Sequence, residues 1–314
     1  MDGSDCGFKR IEEMANPSVS ERLSELLRPV AETVTPAIEK WLDVAGAPAP
    51  LVEAMRYVTL NGGKRLRPAM VFFSAETVAE PDSWRADPSP AAVAVEMVHC
   101  YSLVHDDLPA MDDDTLRRGR PTAHVRFGEA MAILTGDALL TRAFEVLRRG
   151  LSAEAVVAEL VAELAAGAGP AGMIAGQVAD MGLCPVPPGD EGRRYIHMRK
   201  TAALIRAAAR MGGICAGADA AQLRALGEFG EHVGLAFQIT DDLLDATGAA
   251  EVVGKTPGKD AQAGKRSYAA ELGVEAARRR ADELTESACQ AADALGPRAA
   301  RLQQLAKCLA GRQH

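Results

Sequence analysis

Two stretches of this 314-residue chain place carboxylates where a folded helix ordinarily avoids them. The first begins at Glu96 as an apolar helix, ends in Asp106, Asp107, Asp112, Asp113 and Asp114, and turns at once into Arg117 and Arg118. The second runs from Phe237 and Gln238 to Asp241, Asp242 and Asp245. Asp, Pro and Gly are poor helix-interior residues, so a packed helix that ends in such a cluster gives up local stability for chemistry. Hard divalent cations take carboxylate oxygens, Mg²⁺ keeps much of its water and is shared with substrate phosphates, and arginine grips phosphate bidentately. Magnesium and phosphate are the chemistry these residue types indicate.

The helical period says where the acids point. At ~100° per residue, Val93, Met97, Cys100 and Val104 form one stripe with Asp107 beside it, and Asp106 lies on the face of His99. In the second stretch Leu223, Gly230, Phe237 and Asp241 share a line, and Asp245 follows within a turn. Each apolar stripe therefore ends in acid. A core-facing carboxylate left unpaired costs several kcal/mol, so a compensating cation is expected. Asp113 and Asp114 read equally well as turn caps or solvated groups. Two facing carboxylate clusters repel each other, and a diphosphate between them makes metal obligatory. Cations for the phosphates are at hand in Lys64 and Arg67 after the Gly62-Gly63 break, in Arg117 and Arg118, and in Lys200, Lys255 and Lys265 near predicted helix ends or loops.

The elements that must position these groups are helices. Hydrophobic residues make up 48% of the chain with only 4% aromatic, and Ala, Leu, Glu and Arg recur throughout, a mix that favours helix over strand. Helices are predicted over residues 19–45, 51–60, 68–79, 91–108, 127–149 with an interruption at Gly136, 153–166, 172–181, 193–212, 220–246, 267–295 and 298–309. Pro29 and Pro36 are read as bends, and no strand of convincing alternation is found. The expectation is an all-α fold with a flexible segment over 1–17 and one domain over 18–314. The formal net charge of -8 disfavours a general affinity for nucleic acid or anionic membrane. Six scattered cysteines without zinc-type spacing read as reduced thiols. Met1 to Asn16 lacks the apolar run of a signal peptide, and the most apolar long segment, 153–168, carries Glu154, Glu159 and Glu163, so a soluble cytoplasmic protein without membrane insertion is expected.

From about Leu26 onward the chain resembles the trans-isoprenyl diphosphate synthases of the polyprenyl synthetase family, of the bacterial farnesyl or geranylgeranyl type. The resemblance rests on Gly62 to Pro68, the aspartates Asp106, Asp107 and Asp112 followed by Leu116 to Gly119, Gly176-Gln177 with Asp180, Lys200-Thr201, and Phe237-Gln238 with Asp241, Asp242 and Asp245. It implies the isoprenoid synthase fold, helices around a central cavity, with residues 18–314 as the catalytic domain. It also implies three Mg²⁺ ions clamping an allylic diphosphate between Asp106, Asp107 and Asp112 on one side and Asp241 on the other, with Asp242 and Asp245 in support. By the same resemblance Arg117, Lys200 and Lys265 contact the allylic diphosphate, while Lys64, Arg67, His99 and Arg118 hold isopentenyl diphosphate. Lys200, Thr201 and Gln238 lie near the developing carbocation, Lys255 falls in the loop closing over the site, and the protein is a homodimer. His105 is read as a packing or solvent-facing residue.

The residue types suit that chemistry on their own terms. Ionising an allylic C–O bond releases pyrophosphate, so positive charge must be ready where negative charge develops, and the carbocation must be kept from water by apolar walls. Tyr101 and Ser102 are the candidates for limiting product length. Tyr101 stands five residues before Asp106, about 7.5 Å lower along the helix, where a bulky side chain in this family blocks the growing tail. That and the expanded first motif favour the C15 product, farnesyl diphosphate; Ala202, where bacterial farnesyl relatives often carry Gly, leaves the C20 product open. The competing readings are a terpene cyclase, which needs neither the Lys64/Arg67/Arg118 set nor two acidic motifs, and a non-catalytic subunit of a prenyl synthase, which expects eroded aspartates.

Overall fold

The first helix shows how local chemistry sets the boundaries. Ser18 accepts a hydrogen bond from the Glu21 N–H while the Glu21 carboxylate accepts from the Ser18 N–H, a reciprocal cap that starts α1 (Val19–Leu42). A computed structural model describes residues 18–247, 268 and 273–311. The segment 1–17, Lys255, Lys265 and the side chain of Asp245 lie outside them. Pro29 and Pro36 both fall inside α1, on a helix that is continuous through them.

The described chain continues as α2 (Ala49–Thr59), α3 (Leu66–Val78), α4 (Ser89–Asp106), a hairpin of β1 (Leu116–Arg117) and β2 (Arg120–Pro121), α5 (Ala123–Phe127) and α6 (Glu129–Gly150). Then come α7 (Glu154–Ala168), α8 (Met173–Asp180), α9 (Gly189–His197), a widened π turn (Met198–Ala202), α10 (Ala203–Ala216) and α11 (Ala220–Thr247). Two last helices follow, α12 (Val274–Asp293) and α13 (Ala300–Ala310). The fold is all-α, and the only strands among the described residues are the two short ones of the hairpin.

α4 is buried on every side from Pro90 to Val98, the mark of a central helix, and it packs against α3 and α6. α10 is nearly as apolar and packs against α3, α7 and α11; α11 in turn lies along α12. The main core joins Leu23, Leu27, Val34 and Ile38 of α1 to Phe73, Val95, Leu139, Leu160, Met211 and Phe229. A second cluster gathers Ala202, Leu235, Ile239, Leu243 and Tyr268 with Ala277, Ala281 and Leu284 of α12.

Some expected boundaries move. α6 runs unbroken through Gly136, because the missing side chain serves packing: a Cβ there would meet His105 Nε2 at 2.0 Å. The predicted helix over 193–212 is present and longer, running continuously from Gly189 to Ala216 with a π turn widening it at Met198–Ala202. The stretch Glu154–Asp180 is long and apolar enough, by composition alone, to cross a membrane. It is divided between α7 and α8 at Gly169–Gly172, and α7's 15 residues at ~1.5 Å each span less than a bilayer core of about 30 Å.

Candidate active site

The first acidic cluster sits where α4 stops. The chain folds back so that the Asp112 N–H donates to the Asp106 carbonyl at 2.8 Å and the Asp114 N–H to the Asp107 carbonyl at 3.2 Å, capping the helix with its own acidic loop. Carboxylates at a helix C-terminus oppose the helix dipole, so this arrangement needs cations nearby. Asp107 is only 3% exposed, as the helical stripe predicted, and Arg117 closes on it with Nε 2.9 Å from both carboxylate oxygens. Burial nonetheless raises the Asp107 carboxyl above its ordinary value, against the pull of Arg117. Asp106 is pushed up to about 6, chiefly by burial and further by Asp112, against the pull of Lys200 and Arg117.

Arg117 and Arg118 owe their placement to the hairpin. Leu116 pairs with Pro121 and Arg117 with Arg120, leaving Arg118 and Gly119 as a two-residue turn with φ of 53° and 72°. Both positions are left-handed, as this tight turn requires, and a non-glycine residue there carries backbone strain. The turn swings the Arg118 guanidinium onto the Gly62 carbonyl at 2.7 Å, close enough that a Cβ on Gly63 would meet Arg118 Nη1 at 2.7 Å. The Gly62-Gly63 break and the arginine pair thus meet across the site.

Behind them, Arg65 and Glu96 form a fully buried ion pair at 2.8 Å, with Arg65 also donating to the Thr59 carbonyl at 2.9 Å. That pairing neutralises Glu96 and leaves Arg67, whose Nε is buried without a hydrogen-bond partner. Burial lowers the Arg67 pKa and pushes His99 well below 6.5, with Arg67, Arg118, Arg117 and Arg65 all adding to the His99 effect. His99 is therefore a neutral imidazole amid guanidinium groups, and the group as a whole calls for an anion. Lys64 is exposed at its edge.

The opposite wall comes from α8, the π turn and α11. Lys200 donates to Asp180 at 2.6 Å, and the Thr201 hydroxyl donates to Gln238 Oε1 at 2.9 Å. Gln238 Nε2 in turn donates to Asp242 Oδ1 at 3.2 Å. A widened turn is a recurrent device at functional sites. Two glycines admit it: a Cβ on Gly176 of α8 would lie 2.1 Å from the Lys200 amide nitrogen, and one on Gly234 of α11 would lie 2.5 Å from Ala202 Cα. The walls face each other, since the charge of Lys200 is felt at Asp106 and that of Asp241 at Arg67.

Below the acidic mouth, Tyr101 is 6% exposed and set edge-on to His105, with ring centroids 5.8 Å apart. Its hydroxyl is buried without a partner, and burial with the nearby Asp106 charge pushes its pKa up to about 12. Ser102 turns back to the His99 carbonyl at 2.9 Å, and His105 lies 3.0 Å from the Ile133 carbonyl, a packing role as expected. Sequence reasoning gave no role to Asp180, the partner of Lys200, or to Tyr268, whose N–H donates to Asp242 Oδ2 at 3.1 Å. Asp180 carried a signal in its spacing from Gly176 on one short helix; Tyr268 carried none.

Among the described residues no three His, Cys, Asp or Glu side chains converge tightly enough to enclose a metal ion. Mg²⁺ is usually bound through one or two carboxylates with water and substrate phosphate completing the shell, and Asp106, Asp107 and Asp112 lie close enough to feel one another's charge. Asp106 is buried beside Asp112, so a cation here would offset both the burial and the repulsion between the two carboxylates.

Comparison with known proteins agrees with this geometry. The sequence model of the polyprenyl synthetase family matches residues 48–303. The chain is 46% identical over 245 residues to the farnesyl diphosphate synthase of Escherichia coli, covering 77% of this chain and 81% of that protein. It is 45% identical over 249 residues to the chloroplastic geranylgeranyl pyrophosphate synthase 12 of Arabidopsis thaliana, covering 77% of this chain and 68% of that one. The structure of a geranyltransferase from Helicobacter pylori complexed with magnesium and isoprenyl diphosphate superposes with a TM-score of 0.77 at 33% identity, covering 95% of this chain and 98% of that one. The relatives carry both farnesyl and geranylgeranyl names, and the family is Mg²⁺-dependent. With its acidic mouth, arginine-lined wall and all-α frame, this chain belongs to the polyprenyl synthetase family, as a prenyltransferase of the short-chain trans-isoprenyl diphosphate synthase group.

Proposed function

We propose that the chain condenses isopentenyl diphosphate head-to-tail with dimethylallyl and geranyl diphosphates and stops at farnesyl diphosphate, C15. The observation that carries the C15 assignment is the buried ring of Tyr101, one and a half turns below Asp106 on the same helix and braced by His105. A tail growing down from the acidic mouth meets that ring. The second reading, a C20 product, is favoured by Ala202, which is fully buried against Gly234 at the wall.

Arg67, His99 and Arg118, with Lys64 at the edge, hold the acceptor diphosphate, and the unpartnered Arg67 Nε supports that role. The allylic diphosphate is gripped by Arg117 and Lys200, with Lys265 and Lys255 assigned by family resemblance alone. Mg²⁺, three ions by that resemblance, supplies charge to the departing pyrophosphate when held by Asp106, Asp107, Asp112 and Asp241 with Asp242 and Asp245 in support. Thr201 and Gln238 present polar oxygens to the developing carbocation, and the apolar faces of α4 and α10 exclude water from it. We assign the protein to the cytoplasm, as a homodimer.

The deciding experiment incubates the purified full chain with labelled isopentenyl diphosphate, dimethylallyl or geranyl diphosphate and Mg²⁺, and sizes the dephosphorylated products. A C15 product that disappears on chelation of the metal is expected. A C20 product replaces the length assignment, a cyclic hydrocarbon identifies a cyclase, and no elongation identifies a non-catalytic subunit.

A further inference from the structure

We propose that Tyr268 is a positioning residue which, through Asp242 and Gln238, fixes the Thr201 hydroxyl in the one orientation useful to the reaction; this rests on the prenyltransferase reading above. Tyr268 is 3% exposed and belongs to the second apolar cluster, beside Ala202 and Met198 of the π turn. Its ring is held from α9: the Arg193 guanidinium lies 4.9 Å over it, and the His197 ring is 5.4 Å away. Its hydroxyl bonds to Asp190 of the same helix. Its own backbone N–H reaches the other way, to Asp242. α9 leads directly into the π turn that carries Thr201.

These contacts close a circuit. Tyr268 N–H donates to Asp242 Oδ2, Gln238 Nε2 donates to Asp242 Oδ1, and Thr201 donates to Gln238 Oε1. The circuit has a direction. Both Asp242 oxygens accept, one from the Tyr268 N–H and one from the Gln238 NH₂, so the Gln238 amide turns its oxygen toward Thr201. The Thr201 hydroxyl must then donate to Gln238, which leaves its oxygen lone pairs for a neighbouring positive centre. The orienting element is Tyr268, because its N–H holds Asp242 in line with Gln238, and the ring contacts with Arg193 and His197 hold that N–H in place.

The test compares kcat, KM for isopentenyl diphosphate and Tm in the full-length enzyme. Tyr268→Phe keeps the ring and is expected within twofold of wild type. Tyr268→Leu removes the aromatic anchor at similar volume; kcat is expected to fall at least tenfold with KM for isopentenyl diphosphate changed less than threefold. In an Asp242→Asn background, where the amide can reverse the polarity of the circuit, Tyr268→Leu is expected to cost less than a further twofold. An equal fold-loss in both backgrounds, or an unchanged kcat in folded Tyr268→Leu, overturns the proposal. Should Tyr268→Leu not fold, Arg193→Gln withdraws the guanidinium from the ring face, and the same comparison is made there, a kcat unchanged in wild-type background again overturning it. A wild-type enzyme without prenyltransferase activity overturns the underlying reading instead, so the two failures are distinct.

Discussion

Arg117 holds Asp107 through three hydrogen bonds of 2.5 to 2.9 Å, so the second aspartate of the first acidic motif is already met by a cation of the protein itself. Asp106 has no such fork; its nearest positive influences, Lys200 and Arg117, act at longer range. Neighbouring aspartates in one motif therefore sit in different electrostatic surroundings.

Removing Arg117 strands a carboxylate that is almost wholly buried. Arg117→Met is expected to destabilise the fold by about 3–5 kcal/mol, read from urea unfolding, and to lower kcat. The double variant Arg117→Met/Asp107→Asn recovers part of the stability but not the activity. Equal stability of the single and double variants refutes the pairing as the source of the loss.

Tyr101 separates ring from hydroxyl. Because the hydroxyl is buried with no partner, Tyr101→Phe relieves an unsatisfied donor and is expected to leave the C15 product unchanged with equal or slightly higher Tm. Tyr101→Ala opens the floor, lengthens the products to C20 and beyond, and costs about 3–5 kcal/mol of stability as large aromatic truncations do. Product sizing of both variants checks this, and an unchanged spectrum in Tyr101→Ala removes Tyr101 as the floor.

His197 makes stability depend on pH. Burial, aided by Arg193 and Lys200 and opposed by Asp180 and Asp190, lowers its pKa from 6.5 to about 4. The unfolded chain takes up the proton first, so the stabilisation is complete above about 6.5 and is lost as pH falls toward about 4. That interval corresponds to about 3 kcal/mol at about 1.36 kcal/mol per pH unit. Urea unfolding of wild type and His197→Leu between pH 7 and pH 4 is expected to show a flatter profile in the variant; parallel profiles argue against a neutral His197.

Gly176 gives way to nothing larger. Its Cβ would strike the Lys200 backbone rather than a flexible side chain, so Gly176→Ala is expected to cost the upper end of the usual 1–3 kcal/mol for overpacking, about 3 kcal/mol, and to depress kcat by shifting Lys200. Gly227→Ala is the control: its Cβ meets only Arg210 and Arg206 side chains at 3.4 Å or more, and it is expected to change Tm little. Thermal melts and kcat of the pair distinguish a local clash from a general intolerance of alanine.

Much of this was legible before any coordinates. The break at Gly62-Gly63 and the burial of Asp107 follow from local chemistry and the 3.6-residue period, both of which act over a few neighbours. What escaped depended on distant contacts. Gly136 looked like a helix break because nothing nearby in sequence announces that His105 fills its vacancy. The Lys200–Asp180 and Tyr268–Asp242 pairings join residues 20 and 26 positions apart, and the periodicity of neither partner predicts the other. The hairpin was invisible because two-residue strands carry no alternation to detect.

The π turn at Met198–Ala202 works as a phase shifter. One surplus residue in a turn offsets everything downstream by about 100°, so α9 and α10 need not share a common register even though they are continuous in space. α9 can aim Arg193 and His197 at Tyr268 while α10 keeps Leu204, Ile205, Ala208 and Met211 in the core. A single deletion within those five residues would bring the two helices into step and rotate one of the faces out of place. The chain's tolerance of length change is thus lowest where its helix is least regular.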